Sequence, residues 1–378
     1  MPFGGTVQLQ DFCDVVQGGR LGLSGNDFVD DGYPAFGAGG INGNVAVPEF
    51  HRPAVVLSSI GARCGKCFYA DGQWTSLANT QVILPDLNRA DCKYLWFQLN
   101  DERRWHRSGT AQPFIKPADV KSHRVFLPQL PEQRRIAEVL DRADALRTKR
   151  RAALAQLDTL TQSIFLDMFG DPEANGWRMT TVAGVADSAR GSIRTGPFGS
   201  QLLHGEFVDQ GIAVLGIDNA VRNAFRWDER RFITEDKYRQ LKRYTVRPGD
   251  VLITIMGTCG RCAIVPDDIP VAINTKHLCC VTLDRRICLP VFLHSYFLRH
   301  PLARRYLERT AKGAIMAGLN MEIIKAMPIP LPPVELQKEF ASRVEAVGPI
   351  RAAYQASLAK FDALFASLQH RAFRGEPI

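Results

Sequence analysis

What the chain lacks narrows its chemistry first. No apolar run approaches the roughly 18 residues that a membrane-crossing helix needs, so no transmembrane helix is indicated. The opening residues, Met1-Pro2-Phe3-Gly4-Gly5, have neither the basic nor the apolar region of a secretion signal, and a cytoplasmic location is expected. The 9 cysteines, an odd number at irregular spacing, argue against a secreted disulfide scaffold. There is no Gly-x-x-x-x-Gly-Lys-Ser/Thr phosphate loop, which excludes an ATP-driven motor in this chain. An Asn/Asp-Pro-Pro-Tyr/Phe motif, which an adenine-N6 methyltransferase would use to hold a flipped base, is missing, as is a paired-carboxylate nuclease cluster. Phe36-Gly37-Ala38-Gly39-Gly40 is glycine-rich like a methyl-donor loop but lacks the strand-loop-helix context.

What is present is an ordinary globular balance over 378 residues, 46% hydrophobic and 23% charged, enough for two or three domains. The net charge of +8 and a pI of about 9.1 favour an anionic partner. Nucleic acid leads, because no basic amphipathic anchor for a membrane occurs.

The chain is organised around a stretch that occurs twice. Leu127-Pro128-Gln129-Leu130-Pro131-Glu132-Gln133 opens the first copy and Leu331-Pro332-Pro333-Val334-Glu335-Leu336-Gln337 the second. Leu331 lies 204 residues beyond Leu127, and Phe373 lies 204 beyond Phe169, with no insertion between. That period is too long for a solenoid and reads as a duplicated half-molecule. Both copies carry apolar residues at steps of three and four, the seam of a coiled coil. Ile136, Leu140, Leu154, Leu157 and Ile164 mark it in the first, and Phe340, Val344, Leu358, Phe361 and Leu368 in the second. Leu146, Leu160, Ile350 and Leu364 belong to the same stripes. Each helix is expected to run about 38 residues, roughly 55 Å. Pro131 and Pro333 suit the starts. Gly170 with Pro172, and Gly375 with Pro377, suit the ends. Gly348-Pro349 predicts a kink or break inside the second helix.

The intervening segments share an order of elements. Strands are expected near 45–47, 54–59, 67–69 and 80–84, with a helix at 93–100 and a loop at 108–114. In the second segment they fall near 213–217, 250–255, 262–265 and 278–283, with a helix from 289 continuing towards 309 and a loop at 312–320. Val55-Val56-Leu57-Ser58-Ser59-Ile60-Gly61 matches Val251-Leu252-Ile253-Thr254-Ile255-Met256-Gly257, Cys64-Gly65-Lys66-Cys67 matches Cys259-Gly260-Arg261-Cys262, and Asn79-Thr80 matches Asn274-Thr275. The unit of duplication is therefore a globular domain plus a helix.

These features together resemble the specificity subunit of type I restriction-modification systems. The two proline-rich helix entries carry most of the resemblance. Thr195-Gly196-Pro197-Phe198-Gly199-Ser200 is similar to the glycine loop that often opens the second recognition domain, where the first domain has Gly18-Gly19-Arg20-Leu21-Gly22 instead. Gly109-Thr110-Ala111-Gln112-Pro113-Phe114-Ile115 resembles the loop before the helical repeat. The resemblance implies a mixed α/β fold with a pseudo-twofold internal repeat. Two target-recognition domains, 1–126 and 173–330, would be separated by an antiparallel two-helix coiled coil built from 127–172 and 331–378. It also implies that double-stranded DNA is bound as a split, asymmetric site. Methyltransferase subunits, two of them, would dock on the helices, with restriction subunits joining through the complex. S-adenosylmethionine, ATP and Mg2+ would sit on those partners and no cofactor in this chain.

Candidate DNA contacts follow from residue type and position. Arg63, Lys66 and Arg261 flank glycine turns where backbone N–H groups can also approach phosphate, or they are solvated charges on hairpin tips. Arg103, Arg104 and Arg107 surround Trp105 and either grip the DNA backbone or finish a helix C-terminus. Asn79, Gln112, Asn274, Lys276 and Asn320 are types that read base edges, although asparagine in loops also bonds its own backbone. Thr195 and Ser200 of the glycine loop and Lys312 of the late loop complete the set. His277, beside Lys276, reads as a packing or loop residue. The two Cys-x-x-Cys turns have zinc-like spacing, but their glycines look structural and they are about 195 residues apart, so no metal is assigned. Two other classes compete with the sequence reader: a self-contained methyltransferase or nuclease, disfavoured by the missing motifs, and a coiled-coil adaptor that never touches DNA.

Overall fold

The computed structural model describes residues 5–109, 111–227, 229–310 and 319–378. The chain divides into two compact units, Met1–Ala153 with Tyr354–Ile378, and Leu154–Ala353. Two long helices, Leu130–Phe169 and Val334–Ala372, each contribute to both.

In the first unit, the start of the first helix packs antiparallel on the end of the second. Arg147 bonds Asp362 at 2.7 Å, while Arg135, three turns earlier, reaches the carbonyl of Ile378. Ile136, Leu140 and Ala143 are buried with Phe365 and Ala372 against Tyr94 and Phe97 of the globular part. In the second unit the same antiparallel sense appears, with Phe165 against Phe340 at 5.4 Å and Asp158 paired to Arg351.

The seam is less uniform than its periodicity. Ile136, Leu140 and Phe340 are buried, but Leu154, Leu157, Ile164, Val344, Leu358, Phe361 and Leu368 are only half-buried. Leu146, Leu160, Ile350 and Leu364 are exposed, and Phe165 and Phe365 take up deep packing instead. Polar contacts replace part of the apolar seam in the first unit. Arg147 lies 4.2 Å from the Phe365 ring and Arg150 4.3 Å from the Tyr354 ring, cation–π contacts that bury the arginine stems.

Gly348-Pro349 does not break the second helix, which is continuous through it. Proline removes one N–H, but both residues are exposed, so water can hydrate the orphaned carbonyl of the preceding turn. Gly375, at φ +77°, ends this helix, and the N–H of Glu376 reaches back to the carbonyl of Arg371 at 3.0 Å. The other long helix of the sequence reading splits: Pro290–Arg299 and Pro301–Thr310 are separate, because Pro301 forces His300 out of the helical region.

Each unit holds one four-stranded antiparallel sheet of the same order. In the first it runs Cys13–Gln17, Thr80–Pro85, Ala54–Ser58, Cys67–Ala70, and in the second Ile193–Thr195, Leu278–Val281, Val251–Thr254, Cys262–Ile264. The central strands are apolar at nearly every position because both faces are covered. A helix, Cys92–Leu99 or Pro290–Arg299, packs on one face, and a second small sheet lies beyond the other. That second sheet contains a parallel pair in both units, Tyr33–Gly37 with Thr75–Ser76 and Ile212–Leu215 with Ala272–Asn274. The glycines after Phe36 form the turn of a hairpin between Tyr33–Gly37 and Gly40–Val45, not a methyl-donor loop.

One joint is built identically twice. The Gln133 amide accepts from the N–H of Asp91 at 2.8 Å and donates to the carbonyls of Arg89 and Pro128 at 2.9 and 2.8 Å. Gln337 accepts from Leu289 at 2.8 Å and donates to Ile287 and Pro332, both at 2.9 Å. Both glutamines are fully buried. Beside each, a buried tyrosine hydroxyl, Tyr94 or Tyr296, donates to the carbonyl of Phe126 or Pro328. Each clamp sets the entry of a long helix against its own globular domain.

Candidate nucleic-acid interface

At one end of the antiparallel sheet in each unit, several loops converge. In the first unit the turn between Ala54–Ser58 and Cys67–Ala70 carries Arg63 and Lys66. Gly61 sits there at φ +97° and Gly65 at φ +96°, conformations that suit only glycine. The N–H of Gly61 bonds the carbonyl of Pro113 at 2.9 Å, which draws in the loop bearing Gln112. A Cβ on Gly65 would lie 3.2 Å from the Arg107 guanidinium, so the basic run ending at Arg107 flanks the same turn. On the other side, the loop ending at Asn79 is joined by the bond from the N–H of Ser59 to the Asn79 carbonyl, 2.9 Å. Gly18 and Gly19 press on that loop so closely that a Cβ on either would meet it within 2.0 to 2.8 Å.

The second unit repeats the frame. The turn after Val251–Thr254 carries Arg261, with Gly257 at φ +69° and Gly260 at φ +76°. Ile255 donates to the carbonyl of His277 at 2.9 Å, as Ser59 does to Asn79. Gly196 abuts Asn274 and Thr275 as Gly18 abuts Leu77 and Thr80. The Gly18-Gly19-Arg20-Leu21-Gly22 loop therefore stands where the second unit has Gly196-Pro197-Phe198-Gly199-Ser200.

The register corrects one sequence match. Ser58 pairs with Thr80, and Thr254 pairs with Leu278. The residue before the strand is Asn79 in one unit and His277 in the other, so Asn79 corresponds to His277 and not to Asn274. Asn274 ends the strand Ala272–Asn274, as Ser76 ends Thr75–Ser76, so the shared Asn-Thr dipeptide falls at different structural positions in the two units. Asn274 itself is fully buried, with its amide nitrogen donating to the carbonyls of Thr275 and Leu278 at 3.3 and 3.0 Å. It cannot reach a base edge and is a structural residue.

The remaining candidates fall as follows. Arg63, Arg261, Gln112 and Ser200 are exposed, and Lys66, Lys276 and Thr195 half-buried. Arg63 donates to the carbonyl of Gly39 at 2.9 Å. Lys66 hangs 5.9 Å from the Phe68 ring. Among the described residues, none of Arg63, Lys66, Arg261 and Lys276 has a carboxylate partner in an ion pair. Arg103 does: it grips Asp101 with two nitrogens, at 2.9 and 3.1 Å, and holds that carboxyl below its usual range. Arg104 bonds the carbonyl of Gln98, and Arg107 bonds Glu102 through its carbonyl and its carboxylate. Asn320 is the N-cap of helix Met321–Ala326, accepting from Ile323 at 3.0 Å, which occupies its oxygen. Lys312 lies outside the described residues.

His277, a packing or loop residue by its sequence context, stands half-buried just before the strand Leu278–Val281. Burial, then the nearby positive charges of Lys276 and Arg231, push its pKa below the usual imidazole value. The ring is neutral and carries one donor and one acceptor. Arg231 forms an ion pair with Asp218 beside it. In the first unit Asn79 lines a cavity of about 320 Å³ with Asn42 and Ser24.

The thiols of the Cys-x-x-Cys turns point inward. Cys64, Cys67 and Cys262 are buried and Cys259 half-buried, and burial raises every one of their pKa values, which keeps them protonated. Among the described residues no group of three or more metal-ligating side chains converges. Nor is any helix there long and apolar enough to cross a membrane.

The sequence matches the family described as type I restriction modification DNA specificity domain over residues 5–156 and 209–353. It is 27% identical over 280 residues to the EcoBI specificity subunit of Escherichia coli, covering 66% of this chain and 57% of that protein. It is 21% identical over 379 residues to the MjaVIII specificity subunit of Methanocaldococcus jannaschii, covering 90% and 85%. The chain thus spans little more than half the length of the first relative. The fold resembles the crystal structure of a type I restriction-modification S subunit from M. genitalium, with a TM-score of 0.62 at 15% identity over 98% of this chain and 96% of that one. A structure from a study of type I R-M complex assembly and conformational transition aligns at a TM-score of 0.52 and 18% identity, covering 100% and 99%.

Proposed function

The chain belongs to the type I restriction-modification DNA specificity family, and from that premise we propose that it is the sequence-reading, non-catalytic subunit of a type I complex. Each globular domain, 1–126 and 173–330, reads one half of a split, asymmetric site, about 3–5 base pairs in the major groove. The observation that carries this reading is the repeated loop cluster. The same strand frame presents the same glycine-braced turns twice, with cations free of carboxylates at the tips and different side chains between them. A duplicated frame with divergent tips suits two different half-sites.

The helical repeats, 127–172 and 331–378, carry the partners. Leu146 and Leu364 of the first unit and Leu160 and Ile350 of the second are exposed apolar residues on the helices. Leu146 with Ile350, and Leu160 with Leu364, are equivalent under the 204-residue offset. Repetition of one patch favours two copies of one methyltransferase subunit, through which restriction subunits join. S-adenosylmethionine, ATP and Mg2+ belong to those partners.

The test is DNA binding by the complex with its methyltransferase subunits, at two salt concentrations, together with mapping of the methylated motif. A bipartite motif and an affinity that falls steeply with salt are expected. A complex that binds duplexes without sequence preference, or not at all, would refute the reading. A finer test lengthens both long helices by one heptad, about 10 Å, which should add about three base pairs to the unread spacer.

A further inference from the structure

The register that pairs Asn79 with His277 assigns more than a fold equivalence. Both residues stand one position before the central strand, and both offer their carbonyl to the first N–H of the cationic turn at 2.9 Å. The loop leading into each is pressed by glycines that allow no Cβ, Gly18 and Gly19 against Leu77, Ala78 and Thr80, and Gly196 against Asn274 and Thr275. The loop that carries this position is thus held on two sides, while the Asn79 side chain is exposed and the His277 ring half-buried. Asn79 adopts φ +66°, a left-handed conformation that asparagine tolerates better than most other non-glycine residues. Its amide has no hydrogen-bond partner among the described residues, and neither has the His277 ring. A cation lies near each position: Arg63 bonds the carbonyl of Gly39, which lines the same cavity as Asn79, and Lys276 adjoins His277.

Resting on the DNA-reading function above, we propose that Asn79 and His277 occupy one equivalent base-reading position, each deciding a single base pair in its own half-site. A held loop with an unpaired donor–acceptor side chain, near cations that fix the phosphates, is what direct readout requires. The asparagine amide can pair with the N6 and N7 edge of adenine. The neutral imidazole offers a single donor and a single acceptor, so the two half-sites differ at this step.

The experiment uses the complex of full-length chain and methyltransferase subunits, with a duplex library randomised in both half-sites. Wild type, Asn79→Ala, His277→Ala and His277→Asn are compared, with thermal unfolding measured for each. His277→Ala is expected to lose discrimination about tenfold to a hundredfold at one base pair of one half-site, and Asn79→Ala at one base pair of the other. His277→Asn should move the preference at its position towards adenine, and serves if the alanine variant does not fold. Unchanged preference at every position, or affinity that falls evenly for all sequences, would overturn the proposal while leaving the function intact. A wild-type complex without sequence preference would instead remove the function on which it rests.

Discussion

Replacing Gln337 by leucine tests the joint between a long helix and its globular domain. The amide satisfies one backbone N–H and two backbone carbonyls, all within 2.9 Å, and the side chain is fully buried. Leucine has similar volume and no polar atoms, so packing is kept while three backbone groups lose their partner. A buried group left unpaired costs about 1–3 kcal/mol. Three such groups, with some relaxation, give a loss of roughly 3–5 kcal/mol, a large part of a typical total of about 5–15 kcal/mol. For a unit of this size that corresponds to a fall in melting temperature of roughly 10 °C. Gln337→Glu should be worse near neutral pH, because a carboxylate would face the two carbonyls that the amide now serves. That variant should recover partly in acid: a buried carboxyl's folded pKa is raised, so the penalty grows as pH rises through the unfolded value of about 4.3. Gln133→Leu should reproduce the loss, and the two should add, since the clamps share no partner. Gln355→Leu, on an exposed helix face, is the control and should change stability by less than about 0.5 kcal/mol. Urea unfolding followed by circular dichroism measures all of these. A Gln337→Leu midpoint indistinguishable from that control would refute the argument that these bonds hold the joint.

His294 should make the second unit sensitive to acid. Its Nε2 donates to the carbonyls of Asn223 and Cys262 at 3.0 and 3.1 Å, and burial lowers its pKa to about 4. Unfolded, it would titrate near 6.5, so the stabilisation is complete above that pH and is lost as pH falls towards 4. Urea unfolding between pH 7 and 4 should show that slope, and His294→Gln should flatten it. Pro349→Ala should stabilise the chain by about 1–3 kcal/mol, since an exposed proline inside a helix forfeits one hydrogen bond; a thermal melt that does not rise would contradict the continuous helix. In the assembled complex, Arg63→Ala and Arg261→Ala should each weaken binding to all sequences alike and reduce the salt slope by about one. A change of preferred sequence in either would make that arginine a base reader.

The amino-acid sequence by itself determined the duplication, the two long helices and the strands nearest the centre of each sheet. Those depend on local periodicity and on identity between copies. It also singled out the glycine turns at 61–65 and 257–260, because a backbone that needs positive φ leaves glycine as its mark. Tertiary structure decided what local pattern does not encode. Periodicity places an apolar stripe but cannot say that Phe165 and Phe365 are swallowed while Leu146 and Leu364 face solvent, since that depends on what the helix packs against. Nor does it show that Pro349 is tolerated, which follows from its exposure. The match of Asn79 to Asn274 failed for the same reason: equivalence in a sheet is set by strand register across long sequence separations, and only the paired strands reveal that His277 stands in the place of Asn79.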